Sequence, residues 1–194
     1  RYGLVHTDFA KQTEQVLDYL YEQNHRQIAF IGGEIRTVDL NGQKQYLLAD
    51  VRTTAYENWM TIHGLSDNIQ IKTGDWTMAF ALNTTNELVK SSGDQLPTAI
   101  ISASDPMSIG IYRALQLKNI DIPETISVFS FDDIEMAGFM SPPLSTVHID
   151  SLEIGRVAVR LAKERISDGR KTALRVEVAS EIIVRDSVRK NKLS

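Results

Sequence analysis

The chain has 194 residues, 42% of them hydrophobic and 24% charged, with a net charge of −4 and no cysteine. That balance supports a sizeable apolar core, and the missing cysteines exclude a disulfide framework, thiolate metal sites and cysteine nucleophiles. No run approaches the ~18 apolar residues of a membrane span, and RYGLVHTDF at the N-terminus lacks both a leader layout and an initiating Met. The expectation is a piece of a longer, cytoplasmic protein.

In chain order, Thr7 to Gln23 reads as a helix, with Phe9, Thr13, Val16, Leu17 and Leu20 on one face and Thr7 or Asp8 able to cap its start. Gln27 to Ile31 is a short apolar run that stops at Gly32-Gly33, the mark of a buried parallel strand. Glu34 to Leu47 is largely polar, with Asn41-Gly42 inside, and reads as a long loop. A helix follows from Leu48 to His63, with Leu48, Val51, Ala55, Trp59 and Ile62 inward. Ile69 to Lys72 is a strand ending at Gly74, and Met78 to Lys90 a helix with Ala81, Leu82, Thr85 and Leu88 inward. Thr98 to Ser102 is a strand, Pro106 to Lys118 a helix with proline in its first turn, and Ile126 to Phe131 a strand. The alternation implies a parallel sheet with right-handed crossovers. After Pro142-Pro143 the rhythm changes. Leu144 to Ile149 is extended. Asp150 to Asp168 is a helix with Leu152, Ile154, Val157, Ala158, Leu161 and Ile166 on its apolar face, closed by Gly169. Ala173 to Val178 and Glu181 to Arg185 are strands joined by a tight link.

Ligands of an open α/β sheet sit at the carboxyl ends of its strands. The residues just after those strands are Gly32 and Gly33, Asp75 and Trp76, Ser104 and Asp105, and Asp132 and Asp133, with Arg52 early in the second helix. Carboxylates and a guanidinium bond vicinal hydroxyls, and an indole face packs on the C–H face of a sugar. Each residue also has an ordinary structural use: Asp75, Asp105 and Asp132 suit helix caps, Arg52 a helix surface, and Trp76 a core or an interface. No phosphate-binding glycine motif occurs. The four histidines show no zinc spacing, and no nucleophile elbow is present. Adjacent Asp132 and Asp133 make a poor acid/base pair, so no enzyme is expected, although carboxylates alone leave a glycosidase open. The basic clusters Arg165–Lys171 and Arg185–Lys192 read as solvated helix end and terminus, so this segment is not expected to bind DNA by itself.

The runs NHRQIAFIGG, VRTTAY, GDW, PTAIISASDPMSIGIYRAL, IPETISVFSFDDIEMAGFMSPPLSTV and EIIVRDS resemble the effector-binding core of the lactose/galactose repressor family (LacI/GalR), in family order across nearly the whole chain. The resemblance implies an α/β fold like that of periplasmic binding proteins, a doubly wound parallel sheet, with two subdomains, three crossovers and an effector cleft between them. The C-terminal subdomain would be essentially complete and the N-terminal one partial: residues 1–20 ending the N-terminal subdomain and making the crossover, 21–147 in the C-terminal one, 148–178 returning to the first, and 179–194 forming the final strand of the C-terminal subdomain and the tail. It further implies a sugar effector, galactose or a galactoside, met by Asp8, Arg52, Trp76, Ser104 and Asp132. Ser104 stands where the family usually has asparagine, and Asn24 stands for the usual glycine, in a left-handed helix end that asparagine tolerates. The longer Glu34–Leu47 segment would alter the cleft rim. The family pairs as a homodimer, here expected through Met107, Ile111, Phe139 and Met140. Operator DNA would be held by a headpiece outside this chain. The apolar face of the 150–168 helix would need further chain or another molecule to cover it. A transport-associated sugar-binding protein of the same fold is the rival reading. No cofactor, metal or membrane is expected.

Overall fold

The computed structural model describes residues 3–39, 45–93 and 95–192. Its strands are β1 (Leu4–His6), β2 (Ile28–Val38), β3 (Gln45–Ala49), β4 (Gln70–Gly74), β5 (Ala99–Ser102), β6 (Ser127–Asp132), β7 (Ser145–His148), β8 (Arg175–Glu177) and β9 (Glu181–Ile183). Its helices are α1 (Phe9–Glu22), α2 (Val51–Ile62), α3 (Met78–Ser92), α4 (Asp105–Leu117) and α5 (Ser151–Ser167). A seven-stranded sheet carries most of the chain. In its body β4 and β5 flank β2, and β6 and β7 follow, all parallel. β9 closes one edge antiparallel to β7. A separate parallel pair, β1 with β8, forms a second, small sheet that α5 covers. The parallel-dominated α/β architecture is the expected one.

Both faces of the large sheet are sealed. One core joins Val16, Leu17 and Leu20 of α1 and Tyr56, Trp59 and Met60 of α2 to Phe30, Ile101 and Phe129 of the sheet. The other joins Ala81 and Leu88 of α3 and Met107, Ile111 and Leu115 of α4 to Ile31, Ile100 and Val128. Gly110 lets α3 and α4 meet backbone to backbone, since a Cβ there would lie 2.1 Å from the Met78 carbonyl oxygen. The tail is sewn into the same body. Ser187, fully buried, donates to the Val128 carbonyl at 2.7 Å and accepts the Ser145 N–H at 2.7 Å. His25, also buried, contacts Thr98 Oγ1 at 2.9 Å and the Arg189 carbonyl at 3.0 Å. Asn24 adopts φ 66°, the left-handed helix end expected of it.

Several expectations need correction. Glu34–Val38 is not loop: it prolongs β2 and pairs antiparallel with β3, Ile35 opposite Leu48 and Arg36 opposite Leu47. Asn41-Gly42, between the two strands, lies outside the described residues. α2 therefore begins at Val51, capped by Asp50, and Leu48, Val51 and Ile62 are exposed while Arg52, Thr53, Tyr56 and Met60 turn inward. On α5 only Val157 and Leu161 are buried; Leu152, Ala158 and Ile166 are exposed, the uncovered apolar face expected of this helix, since within this chain only a pair of three-residue strands lies against it. β8 and β9, joined by a short link, lie in different sheets, and the segment between them is a crossing. Residue 20, the expected end of the first segment and its crossover, falls inside α1, whose apolar face packs on the large sheet. The chain crosses between sheets before α1, before α5 and before β9, and the first and last crossings are bonded, Val178 N–H to the His6 carbonyl at 2.9 Å.

Met107 and Ile111 are corrected as interface residues: both are fully buried between α4 and the large sheet. The outer side of α4 instead offers Ile109 and Tyr112, which line a shallow groove with Met136, Met140 and Pro142. Phe139, beside that groove in the short 3-10 turn Glu135–Phe139, is 78% exposed.

Candidate functional site

The strand order reverses direction at β2, which is followed by β4 on one side and β5 on the other. Such a switch opens a crevice at the carboxyl ends of the strands, and Arg52 lies there. Asp50 caps α2, accepting the Arg52 N–H at 3.0 Å. The same carboxylate receives the Arg52 guanidinium in a fork, Nε to Oδ1 at 2.7 Å and Nη2 to Oδ2 at 3.0 Å. Nη1 donates to the Ala103 carbonyl at 2.6 Å, just past β5. Both side chains are buried. Aromatic rings surround the guanidinium carbon: Phe9 at 4.6 Å, Trp76 at 4.9 Å and Phe131 at 5.5 Å to their centroids. An arginine so paired keeps its charge in a dry setting and presents a fixed, planar donor.

Trp76 lies flat over β2. Its Nε1 donates to the Glu34 carbonyl at 3.0 Å, and a Cβ on Gly33 would come within 2.0 Å of the indole. Gly33 is thus required by the ring's close approach, and the indole stays 38% exposed. Asp75 pairs with Arg36 at 3.1 Å, tying the β2–β3 ribbon to the loop that carries Trp76. Asp75 is no helix cap; Thr77 caps α3.

Ser104 occupies the N-cap position of α4 without using its hydroxyl as a cap, while its carbonyl accepts from Ser102 Oγ at 2.9 Å. Asp105 is buried at the first helical position. Asp132 ends β6 with φ 117° and is no helix cap. Burial raises its carboxyl pKa to about 6, the neighbouring Asp105 charge adds to the rise, and Arg52 and the Asp105 backbone N–H oppose it. Asp8 caps α1, accepting the Lys11 N–H at 3.1 Å, and stands next to Phe9, which packs on Arg52 and meets Phe131 edge-on. The structure thus draws Arg52, Trp76, Ser104 and Asp132 to one end of the large sheet, with Asp8 at the first crossing beside them.

Sequence reasoning missed Asp50 and Phe9. The signal for Asp50 was present, an acid two residues before an arginine at a helix start, but a helix begun at Leu48 hid it. Among the described residues no cluster of His, Cys, Asp or Glu is arranged for a metal, and no helix is long and apolar enough to cross a membrane.

This doubly wound sheet, crossed to a second unit with polar residues at the crossing end, is that of a periplasmic binding protein-like domain, and the chain belongs to that family, matching it over residues 17–188. Within it, the relatives are regulators of the lactose/galactose repressor type. The chain is 33% identical over 192 residues to the HTH-type transcriptional regulator GanR of Bacillus subtilis, covering 95% of this chain and 55% of that protein. It is 34% identical over 183 residues to the HTH-type transcriptional regulator GalR of Lacticaseibacillus casei, covering 94% and 54%. A solved complex of the transcriptional regulator CelR with cellobiose superposes with a TM-score of 0.79 at 25% identity, over 96% of this chain and 54% of that one. The chain spans about half the length of the curated relatives it matches.

Proposed function

We propose that this chain is the effector-sensing core of a cytoplasmic transcription repressor, not an enzyme, and that its effector is a sugar, galactose or a galactoside. The carrying observation is Arg52, buried, forked on Asp50 and set among Phe9, Trp76 and Phe131 at the switch point of the sheet. A fixed cationic donor beside an exposed indole and a carboxylate suits a ring with hydroxyls on its rim and C–H groups on its face. The likeness to GanR and GalR supports regulation over transport, and the cellobiose complex of CelR supports a sugar. Operator DNA is contacted by a helix-turn-helix headpiece in the rest of the protein, as a homodimer. Phe139 and Met140 serve that pairing, and Ile109, Tyr112 and Met136 extend the same surface. Sugar acts by binding one arrangement of the two units more tightly than the other.

Calorimetry on the full-length protein tests this with galactose, lactose, cellobiose and purines. Arg52→Ala and Asp132→Ala each weaken sugar binding by about 2–5 kcal/mol, because each leaves polar partners stranded in a dry cleft. Affinity also falls as the pH drops through about 6, where Asp132 takes up a proton, loses its charge and turns one acceptor oxygen into a donor. Purine binding with no sugar response overturns the choice of effector. Unchanged affinity in either variant removes that residue from the site.

A further inference from the structure

Asp105 is wholly buried, an unusual place for a carboxylate. Its donors come from beyond its own helix. The Ile134 N–H reaches one oxygen at 2.9 Å and Thr146 Oγ1 the other at 2.8 Å. Ile134 follows directly on Asp132 and Asp133, whose φ angles of 117° and 56° both lie in the left-handed region. Non-glycine residues keep such a backbone only where their surroundings over-determine it. The surroundings here do so from two sides. Asp133 is gripped by Arg185 at 2.7 Å and His148 at 3.0 Å, and Ile134 is gripped by Asp105. Directly before the two gripped residues stands Asp132, whose charged neighbours are Arg52 and Asp105.

We infer that Asp105 is a positioning residue of the effector site: from inside the core it fixes the Asp132–Ile134 turn, so that the Asp132 carboxylate stands toward Arg52 in the orientation a sugar hydroxyl meets. This rests on the reading of Asp132 as an effector ligand. Asp105 touches no effector; it acts through the turn and through its own charge beside Asp132. It also links the site to the 3-10 turn that begins after Ile134 and carries Phe139.

The test uses Asp105→Asn, Asp132→Asn and the double variant in the full-length protein. Asparagine keeps the size of Asp105 and one acceptor but turns an NH2 toward the second donor. Two readouts are taken: binding of galactose and lactose, and titration of the Asp132 carboxyl by carbon NMR without ligand. The expected results are an affinity loss of roughly tenfold for Asp105→Asn, and a double variant no weaker than Asp132→Asn alone. The Asp132 midpoint, about 6 in the parent, moves down toward the ordinary carboxylate value once the neighbouring charge is gone. A purely structural role lowers stability without the coupling, whereas the titration reads the Asp105 charge. Additive losses, or an unmoved midpoint in a folded protein, overturn the inference. Parent-like binding by Asp132→Asn overturns the site reading instead, and the inference with it. If Asp105→Asn does not fold, Thr146→Val removes a single donor and Thr146→Ser restores it, and the affinity loss with its coupling to Asp132→Asn decides.

Discussion

The large sheet and the small β1–β8 unit are built from one chain by the same rules and end in opposite conditions. In the large body both faces are covered by helix pairs, and Tyr56, Phe30, Phe129 and Phe131 are fully enclosed. In the small unit α5 shows a stripe of Leu152, Val159 and Ile166, spaced by seven residues, with Leu152 at 80% and Ile166 at 84% exposure. The contrast is one of width. A helix buries its apolar stripe only where the sheet beneath extends sideways far enough, and a pair of short strands does not. Local sequence makes the helix, and the number of neighbouring strands decides whether its apolar face is core.

The contrast predicts unequal responses to equal chemistry, measured as urea unfolding free energies. Phe129→Ala, in the middle of the large sheet, costs about 3–5 kcal/mol, the combined loss of transfer energy and of packing around the vacated volume. A cost below about 1 kcal/mol would mean that the body is not the stable half. A pH effect comes next. Burial lowers the pKa of His25 below its ordinary 6.5, helped against charging by Arg189 and Arg26 and opposed by its bond to the Arg189 carbonyl. The unfolded chain therefore binds the extra proton first, and stability falls as the pH drops below about 6.5. His25→Gln should flatten that fall, and an unchanged slope in the variant would assign the acid sensitivity elsewhere. The smallest effect belongs to Leu152→Ala, within about 0.5 kcal/mol for a residue so exposed. Its companion measurement is hydrogen exchange, in which the amides of Leu4–His6 and Arg175–Glu177 exchange well before those of β5 and β6. A substantial loss for Leu152→Ala would show that its stripe is covered in solution.

The same contrast explains what could be read beforehand. β2, β5 and β6 are apolar runs cut off by glycine, serine or aspartate, and a strand buried on both faces leaves little other use for such a run. Trp76, Ser104 and Asp132 followed from position, since residues just past parallel strands gather at one end of a sheet, and Arg52 from its place early in a helix together with the family resemblance. The β2–β3 ribbon escaped because charged residues interrupt its alternation, among them Arg36, which pairs with Asp75 outside the ribbon. Met107 and Ile111 were misplaced because a helix between sheet and solvent carries apolar residues on adjoining faces, and a shift of two residues, from Met107 to Ile109, moves from core to groove. Asp105 looked like an ordinary helix-start acid, and its partners, Ile134 and Thr146, lie 29 and 41 residues away.

The stitching of the tail has a consequence for how the protein is made. His25 waits for a carbonyl 164 residues further on, and Val128 for a hydroxyl 59 residues further on. A chain leaving the ribosome can assemble β2, β4, β5 and β6 in order, yet the sheet keeps open seams until Ser187 and Arg189 emerge. The nascent protein stays exposed at its centre until that segment is made. A chain cut before Ser187 would therefore leave both seams open.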